Sequence, residues 1–228
     1  MSSSMTVDAR NWGTADKCAA RDAGLIICRR AMGMQALPPQ GQYWTMCGQL
    51  FDSATGLVKL DAEYDQVVRR ARFATPDQYY GVEVAPEIAI GNQTALAGTG
   101  AHLFEGDILT VMSRSLLSGQ FHPSVINLDT MSEPRSAVDL LCDTMDLVNH
   151  VDGPVVVLVN VVLWCRRTNR RYDSLGAVTE ALTCSPSFHL RSQRGWRQTE
   201  GHETFSYTNW ATNMAMFALI REGAACSG

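Results

Sequence analysis

The sequence predicts an α/β fold: a doubly wound, mostly parallel sheet with an N-terminal helix and a C-terminal antiparallel hairpin. From residue 42 onward, short β-branched or aromatic runs alternate with longer amphipathic stretches, which is the pattern of βα units. Two of the runs, 124–128 and 154–163, are almost continuously apolar, as strands covered by helices on both faces require. After residue 171 strand-like runs follow one another with turn residues between them, so the sheet is expected to finish with an antiparallel strand.

The elements follow in order. Residues 14–32 predict a helix with Thr14 as N-cap and Ala19, Leu25, Ile26 and Ile27 as its apolar set, stopped by Leu37-Pro38-Pro39. Strands are expected at 43–47, 79–84, 101–105, 124–128 and 154–163, with helices at 57–73, 86–96, 108–117 and 133–151 between them. In the last helix Val138, Leu141, Cys142, Met145, Val148 and Val151 recur at three- and four-residue spacing, and Ser132-Glu133-Pro134 supplies a capping residue and a first-turn proline. A further helix near 175–182 precedes strand-like runs at 188–196, 203–208 and 214–220, with 208–213 as a hairpin loop.

With 228 residues, 46% of them hydrophobic, the chain can bury one substantial core. The expected division is a helical extension over 1–40, a domain over 41–222 and a flexible tail over 223–228. A net charge of −4 gives no global field for polyanions, so any nucleic-acid contact has to be local. No apolar run is long enough to span a bilayer, and residues 1–10 lack the apolar region of a secretory signal, so a cytoplasmic protein that does not engage the membrane is expected. Seven cysteines without a C-x-x-C pair read as reduced thiols, and the five dispersed histidines predict no metal site. A G-x-S-x-G elbow and a phosphate-binding G-x-x-x-x-G-K-[ST] loop are both missing, which counts against hydrolase and nucleotide triphosphatase chemistry.

The βα series closed by a hairpin resembles the class I S-adenosylmethionine-dependent methyltransferase superfamily, Rossmann-like in fold, over about residues 42–221. Tyr80-Gly81-Val82-Glu83-Val84-Ala85-Pro86 is similar to the family run that ends its second strand, and the resemblance implies that Glu83 holds both ribose hydroxyls of S-adenosylmethionine. His102-Leu103-Phe104-Glu105-Gly106-Asp107-Ile108 looks like the third-strand element, which implies Asp107 at the adenine amino group and Ile108 against the ring. The fourth-strand run from Pro123 to Met131 resembles the motif beside the transferred methyl group, and Asp129 at its tip is the implied catalytic residue. The first motif departs from the family: Tyr43-Trp44-Thr45-Met46-Cys47-Gly48-Gln49 has one glycine and no acid, and a long interval to Glu83 implies an insertion around 52–61. Cys47 and Gly48 are the implied neighbours of the cofactor's methionine part.

The acceptor side is read from charge and aromatics. Arg166, Arg167, Arg170 and Arg171 follow the fifth strand on the expected cofactor edge and suit phosphate or carboxylate contact, or form a solvated loop. Arg191, Arg194 and Arg197 interleave with Trp196 in a second cationic stretch. Tyr207 and Trp210 flank the hairpin loop and either line a substrate entrance or pack inside. Asn127-Leu128-Asp129-Thr130 is not the [DNS]-P-P-[YFW] motif of adenine and cytosine amino methyltransferases, no Pro-Cys pair stands there, and two lysines cannot supply a Lys-Asp-Lys-Glu set. Two functions remain open: a methyltransferase acting by direct in-line displacement on an unidentified acceptor, nucleic acid among the candidates, or an inactive module binding nucleic acid or a protein through its arginine-rich edge.

Overall fold

A computed structural model of the chain describes residues 15–47, 49–51, 58–130, 134–165, 170–171, 196–198, 205–209 and 212–221. Its main sheet is built from β1 (Gln42–Met46), β4 (Tyr79–Glu83), β5 (His102–Glu105), β6 (Pro123–Asp129), β7 (Val155–Cys165), β10 (Phe205–Asn209) and β11 (Thr212–Arg221), in the order β10-β11-β7-β6-β1-β4-β5. Neighbours from β7 through β5 run parallel, whereas β11 is antiparallel to both β7 and β10. The chain builds β4 and β5 on one side of β1 and then crosses to β6 and β7 on the other, so the switch in winding lies between β1 and β6. A doubly wound sheet binds its ligands outside the carboxyl ends of its strands at that switch.

Helices cover both faces. On one, α4 (Ile108–Leu117) and α5 (Pro134–Val148) press Met112, Leu141, Met145 and Val148 onto Trp44, Ile126, Leu128 and Val157. The spacing read from the sequence is realised in α5: its stripe from Val138 to Val148 is buried, and the helix stops there in a turn, three residues short of expectation. Arg221, at the end of β11, donates to the carbonyls of Val148, Val151 and Gly153, which ties the end of α5 and the turn after it to the sheet. On the other face α1 (Ala15–Met32) buries Leu25, Ile27 and Cys28 against Val125, Val156 and Leu158, so it is built into the core. Gly24 permits this approach, since a Cβ there would stand 2.9 Å from Leu158 Cδ1 and 3.2 Å from Met216 Sδ. α3 (Pro86–Ala95) follows β4 with Pro86 in its first turn, as its sequence predicts.

The expected helix over 57–73 is corrected. Its first residues form β3 (Val58–Asp61), paired antiparallel with β2 (Gln49–Phe51), and this hairpin takes up the long interval before β4. The helix starts only at Ala62, because Asp61 caps it by accepting from the Tyr64 amide at 2.9 Å. It is one turn, α2 (Ala62–Tyr64), running on as a π-helix over Asp65–Arg70. Tyr64, Val67 and Val68 still reach the core, so the apolar spacing was real but belonged to a shorter element.

The C-terminal part differs in detail from the expectation. Arg170 and Arg171 are in a strand, β8, paired antiparallel with Trp164 and Cys165 of a longer β7, and not in a loop. Trp196–Gln198 forms β9 against the end of β11. The hairpin is tighter than expected, since Asn209 already pairs with Thr212. Gly48, Arg166, Arg167, Arg191, Arg194 and Trp210 and the helix expected at 175–182 lie outside the described residues; Tyr207 is in β10 opposite Met214. No helix among the described residues is long and apolar enough to cross a membrane.

Gly81, in β4 next to the candidate site, leaves no room for a side chain. A Cβ there would sit 2.5 Å from Cys47 Sγ and 2.7 Å from Leu103 Cδ2. Gly81→Ala is expected to cost about 1–3 kcal/mol in denaturant unfolding, the range of an overpacked core. Part of the loss should return when Cys47→Ala is added; a neutral single substitution would show that the sheet yields here.

Candidate functional site

The carboxyl ends of β1, β4 and β5 form a continuous rim. Cys47, just after β1, donates its amide to the Val82 carbonyl at 2.9 Å; Glu83 lies in register with Glu105; and the Gly106 amide donates to the Glu83 carbonyl at 2.9 Å. Cys47, Glu83 and Asp107 therefore follow one another along the rim. The half-buried Glu83 carboxylate accepts from the Ala85 amide at 2.9 Å, which orients it over its own turn. Burial pushes this carboxyl up, against the opposing effect of the Ala85 and Val84 amides. A carboxylate offers about four lone-pair positions, so acceptor capacity remains on Glu83 for two hydroxyl groups.

Asp107 is exposed and caps α4, its Oδ1 accepting from the Thr110 amide at 3.0 Å and the Thr110 hydroxyl at 3.2 Å. Ile108 is only 4% exposed and packs in the core with Met112. The apolar side chain the rim itself presents is Val84, 68% exposed beside Glu83.

Under the rim lies a buried cluster that the sequence reading missed. Asp61 is fully buried, and its carboxyl accepts from the Tyr79 hydroxyl at 2.8 Å, the Tyr64 amide at 2.9 Å, the Asn92 amide group at 3.4 Å and the Cys47 thiol. Burial outweighs these donors and raises Asp61 to about 6. Burial, then the Asp61 charge, hold the Cys47 thiol well above its usual range, so Cys47 is a neutral thiol. The same Asp61 carboxylate caps the N-terminus of α2.

Across the switch point, Asp129 at the tip of β6 meets α1. Lys17 Nζ donates to Asp129 Oδ2 at 2.7 Å, with the side chains 3% and 9% exposed. One turn further along α1, Arg21 pairs with Glu63, which also accepts from the Tyr43 hydroxyl at 2.6 Å and Asn127 Nδ2 at 2.9 Å. Asn160 Nδ2 donates to Asn127 Oδ1 at 3.2 Å, extending the network to β7. Burial works against both cations. For Arg21 the Glu63 and Asp129 charges more than compensate and it stays firmly protonated, whereas for Lys17 burial prevails and its pKa is lowered. A signal for this network was present: Lys17, Arg21, Leu25 and Cys28 fall on one helical stripe, so two cations extend an apolar face.

Neither family models nor curated proteins match the sequence. Solved structures do align. Magnesium protoporphyrin IX methyltransferase from Synechocystis PCC 6803, with bound S-adenosylhomocysteine, covers 97% of this chain and 90% of its own at 10% identity and a TM-score of 0.51. The fibrillarin pre-rRNA processing protein of Methanococcus jannaschii covers 85% of this chain and 74% of its own at 13% identity and a TM-score of 0.46. A 16S rRNA adenine methyltransferase from Catenulisporales acidiphilia covers 90% and 93% at 12% identity and a TM-score of 0.46. The chain thus has a Rossmann-like α/β fold closed by an antiparallel strand, and it shares that fold with the first of these methyltransferases.

Proposed function

We propose that this protein is an S-adenosylmethionine-dependent methyltransferase that transfers the methyl group in line to an acceptor held near Asp129. The observation that carries this reading is the row of Cys47, Glu83 and Asp107 on one rim, with Asp129 across the switch point. Glu83 would hold the ribose hydroxyls, Val84 would lie against the base, and Asp107 would meet the adenine amino group with the oxygen not used for capping. Cys47 and Gly48 would border the methionine part. The bound cofactor supplies an activated methyl group, so the protein has mainly to align the acceptor and receive a proton. Arg166, Arg167, Tyr207 and Trp210 would extend the acceptor surface, and the buried thiols of Cys28 and Cys47 suit a cytoplasmic setting.

The capping of α2 by Asp61 favours a second reading, a module that keeps the fold and binds a partner without catalysis. Calorimetric titration with S-adenosylhomocysteine separates the two. The methyltransferase reading expects micromolar binding that Glu83→Ala weakens about 10- to 100-fold, the loss of hydrogen bonds to a charged acceptor. Folded protein that takes up no S-adenosylhomocysteine would leave the module.

A further inference from the structure

Between α1 and the tips of β6 and β7 is a hollow of about 10 Å³, room for the centre of roughly one water-sized sphere, lined by Lys17, Arg21, Glu63, Asn127, Asp129 and Asn160 among others. Its charges balance, with Lys17 on Asp129 and Arg21 on Glu63. Both oxygens of Glu63 are engaged. Asp129 differs: Oδ2 is held by Lys17, while Oδ1 is buried with no hydrogen-bond partner among the described residues. A buried carboxylate oxygen left without a donor is costly, so a donor is what this hollow lacks.

We propose that Lys17 and Asp129 form the seat of the methyl acceptor, with Lys17 as a positioning residue that ties down Oδ2 and presents Oδ1, and that the acceptor is a neutral N–H or O–H nucleophile and not a carboxylate or phosphate. An anion entering here would face two carboxylates whose cationic partners are already engaged, and could be matched only by breaking the 2.7 Å Lys17–Asp129 pair. A nitrogen or oxygen that bears hydrogen completes Asp129 without disturbing either pair. In the transfer, the acceptor's lone pair forms the bond to the methyl carbon and the carbon–sulfur bond breaks with its electrons passing to sulfur. The sulfonium becomes a neutral thioether, and the acceptor's proton passes to Asp129 Oδ1. The small hollow admits only the tip of the acceptor, so the remainder of the molecule stays outside it.

This inference rests on the methyltransferase reading, yet its test does not need turnover. The side-chain amide resonances of Asn127 and Asn160 in the full-length protein would be followed by NMR during titration with phenol, benzamide and benzoate, each with and without S-adenosylhomocysteine. Phenol and benzamide are expected to shift both amides saturably, and Asp129→Asn is expected to weaken them about tenfold or more, the worth of one hydrogen bond to a charged group. Lys17→Met should weaken them likewise, and Lys17→Arg should restore most of the affinity, which a purely packing role of the lysine stem would not require. Benzoate shifting these amides as strongly as phenol, or no shift with any of the three probes, overturns the assignment, and the wild-type comparison decides this even if a variant fails to fold. Failure of S-adenosylhomocysteine to bind in the separate calorimetric titration strikes the methyltransferase reading alone.

Discussion

Replacing Glu63 by alanine is expected to destabilise the protein by about 3–5 kcal/mol, the largest effect of any single substitution considered, because it leaves a buried guanidinium without its counter-charge. Arg21 is 8% exposed on α1, and Glu63 is 2% exposed at the start of α2. Their ion pair joins the N-terminal helix to α2, beside the Lys17–Asp129 pair that joins it to β6. The same carboxylate also takes the Tyr43 hydroxyl and Asn127, so its loss orphans three donors on three further elements. Glu63→Gln keeps the shape and an acceptor for Tyr43 and Asn127 but not the charge, so it should recover only a minor part of the loss. Equilibrium unfolding in urea measures both. The double variant Arg21→Met with Glu63→Gln should be more stable than Glu63→Gln alone, since no unpaired charge is left inside. A loss below about 1 kcal/mol for Glu63→Ala would mean that water reaches Arg21 and that the network does not fasten α1.

The second large effect concerns pH. Asp61 rises from an ordinary 3.8 to about 6 in the folded protein, chiefly through burial. A carboxyl whose pKa is raised on folding favours the native state in its protonated form. Its contribution is complete below about pH 3.8 and is lost as the pH climbs through about 6. The shift corresponds to about 3 kcal/mol at 1.36 kcal/mol per tenfold change in proton affinity. Unfolding free energies of the wild type and Asp61→Asn, measured side by side from pH 4 to pH 7.5, should converge by about this amount, because the amide cannot titrate. The change is expected to be sharpest near pH 5, about midway between the two pKa values. A difference that stays constant with pH would show that the Tyr79, Tyr64, Asn92 and Cys47 donors keep Asp61 ionised throughout. Because Asp61 caps α2 and holds the Cys47 thiol, the same titration bears on the rim at Cys47.

The candidate rim and the candidate acceptor seat were not equally legible in the sequence. The positions of Glu83 and Asp129 at strand ends, and of Asp107 between β5 and α4, could be read from the sequence, because the strand and helix patterns that bracket them are local. The stripe of α5, the bounds of α4 and the closing antiparallel strand were equally readable, since each rests on periodicity or turn chemistry within one segment. The start of α2 was not. Residues 57–73 carry enough apolar residues for a helix, and only the pairing of β3 with β2 and the cap at Asp61 decide that it begins at Ala62.

The pairings within the buried network were beyond reach for a stronger reason. Lys17 and Asp129 stand 112 residues apart, and Arg21 and Glu63 stand 42 apart. The stripe that Lys17 and Arg21 share with Leu25 and Cys28 marks a helix face that packs, but which carboxylate meets each cation is a property of the folded neighbourhood that no local pattern reports. What the sequence determined by itself was therefore the succession of the main strands and helices along the chain and the mostly parallel sheet that they build. Which acids remain available there, and which are already satisfied by α1, was decided only when the helix packed across β7 and β11, since only contact between distant segments can remove a charge from water and give it a partner.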